Sequence, residues 1–210
     1  MKRTLLLGLI ILSLPVISHA DGKKKAPVAK TKTVVKKEPT EIQWLTSIDE
    51  LQAKMAKNPK KVYMDVYTGW CGWCKRMDAT TFTNPDLIRY MNANYYAVKL
   101  DAERKDTIHF MGKVYYFEPQ YKANTFAVEY MSGGNKQVQL SYPTSIFMLE
   151  NFQSPQPVPG YHDVKEMESF LTYFGDNIYK HQGWADFAKA FKPTWKVVEQ
   201  PGAMAPVPAH

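Results

Sequence analysis

Apolar and polar positions along the chain switch between a strand-like and a helix-like period, and the switches mark out its elements. Glu41–Leu45 suits a short edge strand. Ser47-Ile48-Asp49-Glu50 has the form of a capping box, opening a helix with Ile48, Leu51 and Met55 on its inner face and Asn58-Pro59 at its end. Lys61–Tyr67 is rich in β-formers and apolar on both faces except at Asp65, as a central strand covered by helices would be. A turn at Thr68-Gly69 then leads to a helix from Cys74 to about Thr80, with Cys71 at its N-terminus. Asn84-Pro85 opens another, carrying Leu87, Ile88 and Met91, and Tyr95–Asp101 is a second strand. Strand, helix, strand, helix, strand predicts an α/β sheet.

Thr107–Phe117 breaks that rhythm. Two β-prone runs flank Met111-Gly112-Lys113, which predicts a hairpin inserted in the crossover, and Glu118-Pro119 is read as the start of a helix to about Met131. Ser132–Asn135 is loop, Pro143–Leu149 a third central strand, and Val158-Pro159-Gly160 a short edge piece. Asp163-Val164-Lys165-Glu166 is a second capping box. It opens a long helix whose buried positions are expected at Val164, Met167, Phe170, Leu171, Phe174 and Ile178. Trp184–Phe191 is one further amphipathic helix, its aromatics read as core.

The ends of the chain carry different signals. Lys2 and Arg3, an apolar run from Leu5 to Ile17 and the small-residue exit Ser18-His19-Ala20 predict a signal peptide, residues 1–20, cleaved after Ala20. The run is shorter than the ~20 residues that span a bilayer, and no later stretch does better, so no stable membrane insertion is expected. No cysteine follows the run, so no lipid anchor is expected there.

The formal charge of +7 invites a nucleic-acid or membrane reading until it is located. Residues 21–39 hold seven lysines against Asp21 and Glu38, whereas residues 40–210 hold 18 basic and 18 acidic side chains. The basic charge therefore belongs to a Lys-rich flexible linker, residues 21–40, and no nucleic-acid partner is expected. Weak attraction of that linker to an anionic surface stays open. A domain over residues 41–198, long enough for a sizeable core, precedes a Pro/Ala-rich tail at 199–210.

The chain has only two cysteines, in Trp70-Cys71-Gly72-Trp73-Cys74-Lys75. At i and i+3 of a helix start, two sulfurs are close enough for a disulfide with Cα atoms roughly 5.5 Å apart. As a staple the bridge would close a minimal loop and stabilise little. A structural zinc site lacks its second ligand pair, and Lys75 stands where a haem-attachment motif needs histidine. A dithiol that opens and closes fits better, and a soft-ligand pair for Cu(I) or Zn remains as an alternative from another class.

A strand carrying Asp65, then Trp70-Cys71-x-x-Cys74-Lys75, then Pro143-Thr144 heading a later strand, resembles the thioredoxin superfamily in the order of its features. It is most similar to exported bacterial thioredoxin-like proteins with an enlarged central crossover, over roughly Glu41–Tyr179. The resemblance implies a thioredoxin-like fold, a central mixed β-sheet flanked by helices with a hairpin-plus-helix insertion. It implies Cys71 as the exposed nucleophile, Cys74 as the buried resolving cysteine, and Asp65 as the buried acid that takes the Cys74 proton, facing Lys99 on the neighbouring strand. The alternatives are a hydrogen-bonded structural carboxylate for Asp65 and an ordinary exposed strand lysine for Lys99. Pro143 matches the superfamily's cis-proline, with Tyr142 before it offering backbone to an extended substrate, and Trp70 offers an apolar contact. Trp73 departs from the proline of thioredoxin itself, so Gly72-Trp73 leaves the direction of electron flow open.

The implied function is a periplasmic thiol–disulfide oxidoreductase, reducing exported proteins and recharged by a membrane or soluble thiol–disulfide donor, with no metal or organic cofactor. A disulfide donor or isomerase on the same residues is the alternative. The insertion at Thr107–Met131 is the expected seat of partner choice.

Overall fold

In the computed structural model, which describes residues 38–133 and 139–197, Lys61–Tyr67 (β2) is the strand on which the others are built. All of it but Tyr67 is buried, so it must be covered on both faces and paired on both edges. Tyr95–Asp101 (β3) runs parallel to it, from Lys61↔Tyr95 to Tyr67↔Asp101, and Thr144–Met148 (β8) runs antiparallel on its other edge. Trp44–Leu45 (β1) pairs beyond β3 and Gln156–Pro159 (β9) beyond β8, giving a mixed sheet ordered β1-β3-β2-β8-β9. The thioredoxin-like α/β fold expected from the sequence is the fold observed. The leader, most of the linker, Gly134-Asn135 and the tail lie outside the described residues.

The alternation of β2 sorts the core. Val62, Met64 and Val66 face Ile48–Lys57 (α1) together with the insertion, while Tyr63 faces Gly72–Thr80 (α2), Pro85–Asn94 (α3) and Val164–Gly175 (α5). Caps set the helix starts. Ser47 accepts from Glu50 N–H, Asn84 from Asp86 and Leu87 N–H, and Asp163 with Glu166 forms the full reciprocal box. Among the described residues no helix is long and apolar enough to cross a membrane.

The insertion departs from its expected form. Ile108–Phe110 (β4) and Lys113–Tyr115 (β5) make the predicted hairpin, turning through Met111 and Gly112 at φ 50° and 77°, the left-handed pair that a two-residue loop demands. The helix does not start at Glu118. Pro119 is instead the second residue of a β-turn closed by Tyr121 N–H on the Glu118 carbonyl, between Phe117–Glu118 (β6) and Ala123–Asn124 (β7). Asn124 then caps Thr125–Met131 (α4), accepting from Phe126 N–H. Ile108, Phe110, Tyr115 and Phe126 all lie in the core, so the insertion is part of the packed fold and not an appendage.

At the far edge, Gly160 N–H bonds the Pro143 carbonyl, which by antiparallel alternation turns the N–H groups of Val158 and Gln156 toward β8. The outer edge then carries Pro157 and Pro159, which have no donor to offer another strand.

The last long helix stops short of Ile178. It ends at Gly175, where a Cβ would collide with the Tyr90 hydroxyl, and Asn177 at φ 61° turns the chain into a 3₁₀ turn that leaves Ile178 half-buried. Phe170 and Phe174 are half-buried rather than core, Phe170 stacking on Trp184 of the final helix, Trp184–Ala190 (α6). In that helix Phe187 is core, while Trp184 stays partly exposed.

Buried Glu168 was hidden among these aromatics. Its carboxylate accepts from Thr194 N–H, Thr194 Oγ1 and Trp195 N–H at 2.7–2.9 Å, pinning the segment after α6 against α5. Replacing Glu168 with Ala leaves those donors unpaired and is expected to cost about 2–3 kcal/mol in urea unfolding. Cleavage after Lys196 by trypsin should accelerate in parallel; unchanged stability and cleavage would refute the pinning role.

Candidate functional site

The Cys71–Cys74 pair is disulfide-bonded, with Cα atoms 5.3 Å apart, where β2 gives way to α2. Cys71 is the helix N-cap. Its backbone N–H donates to the Thr68 carbonyl, and its sulfur accepts the Cys74 N–H at 3.0 Å. That places Sγ of Cys71 among the unpaired N–H groups and the positive end of the helix, the setting that favours a thiolate. The expected contrast in exposure is absent, because Cys71 is 4% and Cys74 3% accessible. In the disulfide state the Cys71 sulfur is turned back onto the helix start, bonded to Cys74 Sγ and in contact with Cys74 N–H, so the N-cap position and not exposure distinguishes the two.

Asp65 and Lys99 stand directly opposite in the parallel register of β2 and β3, which puts both side chains on the face that α2 covers. Lys99 Nζ donates to Asp65 Oδ2 at 2.6 Å, so it is a half-buried partner and not a solvent-facing strand lysine. The same ammonium bonds Asp78, one turn beyond Cys74 on α2. Burial pushes the Asp65 carboxyl up to about 6, Lys99 pulls against it, and Asp78 adds to the rise. Burial lowers Lys99, but the two carboxylates outweigh it and leave the ammonium raised. Among the described residues, Asp65 Oδ1 and Thr68 Oγ1 are buried with no hydrogen-bond partner.

Tyr142-Pro143 is a cis peptide at the head of β8. Among the described residues the Tyr142 backbone has no hydrogen-bond partner, while its ring meets Trp70 edge-on at 5.8 Å. Burial, then Glu103 and Asp101, pushes the Tyr142 hydroxyl up to about 12. Trp70 is 68% exposed, and its Nε1–H donates to Glu103. With Gln120, Tyr121, Lys122 and Leu140 these residues line an open cleft of about 590 Å³. Trp73 packs on Tyr161, and the Arg76 guanidinium lies 5.7 Å from both rings, whereas a side chain at Gly72 would meet nothing within 4 Å.

The structure thus brings Cys71, Cys74, Trp70, Trp73, Tyr142 and Pro143 to one end of the sheet, with Asp65 and Lys99 between the sheet and α2. Sequence reasoning missed Asp78, Glu103, Arg76 and Tyr161. Asp78 alone had a signal, its i+4 spacing from Cys74.

Comparison with known proteins adds four findings. Human spermatogenesis-associated protein 20 is 25% identical over 112 residues, which are 53% of this chain and 12% of that protein. A thioredoxin-fold protein from Helicobacter pylori is 16% identical with a TM-score of 0.44, covering 70% of this chain and 82% of that one, and a DsbH oxidoreductase is 13% identical with a TM-score of 0.45, covering 76% and 96%. The Thioredox_DsbH family model, described as a protein of unknown function (DUF255), matches residues 27–161. With more than half of its length matched, the chain belongs to the Thioredox_DsbH family.

Proposed function

We propose that this chain is a periplasmic thiol–disulfide oxidoreductase that reduces disulfides of other exported proteins. The observation that carries the reading is the pairing of its only two cysteines across the first turn of α2, with the sulfur of Cys71 at the helix N-cap. In the reaction, the Cys71 thiolate attacks one sulfur of a substrate disulfide; that S–S bond breaks, a mixed disulfide forms, and the first substrate thiolate leaves. Cys74 then loses its proton to Asp65 and attacks Cys71 Sγ, expelling the second substrate thiolate and closing the enzyme disulfide. Two electrons pass to the substrate, which takes up two protons. A thiol–disulfide donor, at the membrane or soluble, returns the electrons.

The Tyr142 backbone beside Pro143, which has no hydrogen-bond partner among the described residues, supports docking of an extended substrate strand, and Trp70 supplies apolar surface. The cleft joining Trp70 to Gln120–Lys122 supports partner choice through the insertion. The leader pattern of residues 1–20 supports export, and the oxidising space it leads to explains the need for a donor.

Five outcomes test this reading. Cys74→Ser should accumulate mixed disulfides on Cys71 in the exporting host, and Cys71→Ser should accumulate none. Adding Tyr121→Ala to the trap should change which proteins are caught while reduction of a small aromatic disulfide continues; an unchanged catch removes the insertion from partner choice. The reduction potential should lie near −270 mV, about that of thioredoxin, and a value near −120 mV, about that of a strong periplasmic oxidant, would reverse the direction of electron flow. Asp65→Asn should slow the Cys74-dependent step roughly tenfold to a hundredfold. It should also alter stability with a defined sign. With its carboxyl raised from 3.8 to about 6, folded Asp65 binds a proton the unfolded chain has released, so wild-type stability falls as pH rises between those values. The oxidised Asn variant should therefore gain about 3 kcal/mol relative to wild type between pH 3 and pH 8 in urea unfolding. A constant difference across that range would contradict the buried-acid assignment.

A further inference from the structure

One ammonium in this site serves two carboxylates. Asp65 reaches Lys99 from the opposite strand, and Asp78 reaches it from the helix that carries both cysteines. The side chains are graded in exposure, 2% for Asp65, 15% for Lys99 and 48% for Asp78, so the bridge runs from the interior to water. Lys99 is fixed in that position. The rings of Trp44, Tyr67 and Phe82 stand 5.0–5.3 Å from its Nζ and bind the cation through their faces.

Few other groups bear on Asp65. Strand β3 contributes Lys99 and, beyond it, Asp101. Helix α2 contributes Asp78 and the disulfide-bonded Cys74. Its own strand contributes Tyr63 and Tyr67, and β8 offers only the Ser145 hydroxyl, taken by Tyr63. A lysine paired with Asp65 alone would spend its whole charge on that carboxylate and make it a weak base. Asp78 divides that charge and sets a second negative group on the same ammonium.

We propose that Asp78 is a positioning residue for the Cys74 step: by sharing Lys99 with Asp65, it keeps the Asp65 carboxylate basic enough to take the Cys74 proton. The link to Cys74 rests on the oxidoreductase reading above; the control of Asp65 by Asp78 does not. Helix geometry makes the arrangement specific, because i and i+4 put Cys74 and Asp78 on one face, so the helix that presents the thiol also carries the group that tunes its acceptor. The proton itself moves only from Cys74 Sγ to Asp65; Asp78 neither gives nor takes one.

The test is the carboxyl titration of Asp65 followed by carbon NMR in the oxidised full chain, for wild type, Asp78→Asn and Asp78→Glu. The amide should lower the Asp65 midpoint by roughly one pH unit, and the glutamate should hold it near the wild-type value. In stopped-flow reduction of a small disulfide, Asp78→Asn should slow the Cys74-dependent step about threefold above the midpoint and shift its pH profile down by the same unit. An unmoved or raised midpoint in Asp78→Asn would overturn the proposal, the latter by making Asp78 a mere holder of Lys99. Failure of Asp78→Glu to hold the midpoint would overturn it too. Wild-type protein that reduces no disulfide would sink the oxidoreductase reading alone, and the Asp65 midpoint would still decide the control by Asp78.

Discussion

A carboxylate in the middle of a central strand is the constraint from which this site follows. Asp65 is 1% exposed in a strand otherwise made of apolar and aromatic residues and one end lysine, where an isolated charge is costly to hold. The parallel register answers it by placing Lys99 directly opposite, and parallel pairing keeps both side chains on one face. The same register fixes which face of the sheet α2 must cover, and hence where the disulfide lies. The pair is not fully reconciled, since one carboxylate oxygen has no hydrogen-bond partner among the described residues and the group keeps a raised proton affinity. Holding the carboxylate there costs stability.

Most of this frame was legible from the residues because it depends on local pattern. Lys61–Tyr67 could only be a covered strand, Asn84-Pro85 and Asp163-x-x-Glu166 are helix starts whose hydrogen bonds need no distant partner, and Met111-Gly112 is a turn for the same reason. What stayed illegible depends on contacts between distant elements. Glu118-Pro119 suits the first turn of a helix and the start of a β-turn equally well, and the pairing of Phe117 with Asn124 decides it. Phe174 and Ile178 continue a helical stripe in sequence, but the close approach of Tyr90 to Gly175 ends the helix between them.

The site divides the same way. The two cysteines and Pro143 are fixed by motif and order, whereas Glu103 and Tyr161 come from other loops and carry no spacing rule. Burial of Cys71 was misjudged for a related reason: an N-cap residue is exposed in an isolated helix, but here the disulfide turns its sulfur inward.

The two sulfurs, only a turn apart, are governed by different electrostatics. Cys71 answers to the helix N-terminus, through the Cys74 N–H and the unpaired amides around it. Cys74 lies on the helix face that continues to Asp78, whose carboxylate shares the Lys99 ammonium with Asp65. The proposed reduction needs the two sulfurs set apart in this way, because in it Cys71 is ionised before substrate arrives and Cys74 stays protonated until the mixed disulfide has formed. Trp73, where thioredoxin has proline, leaves both environments in place. Its ring is drawn aside onto Tyr161, with the Arg76 guanidinium over both rings, which ties the start of α2 to the loop before α5. The departure from the thioredoxin dipeptide therefore acts on the anchoring of α2, while the Asp65–Lys99–Asp78 group is set by residues the dipeptide does not touch.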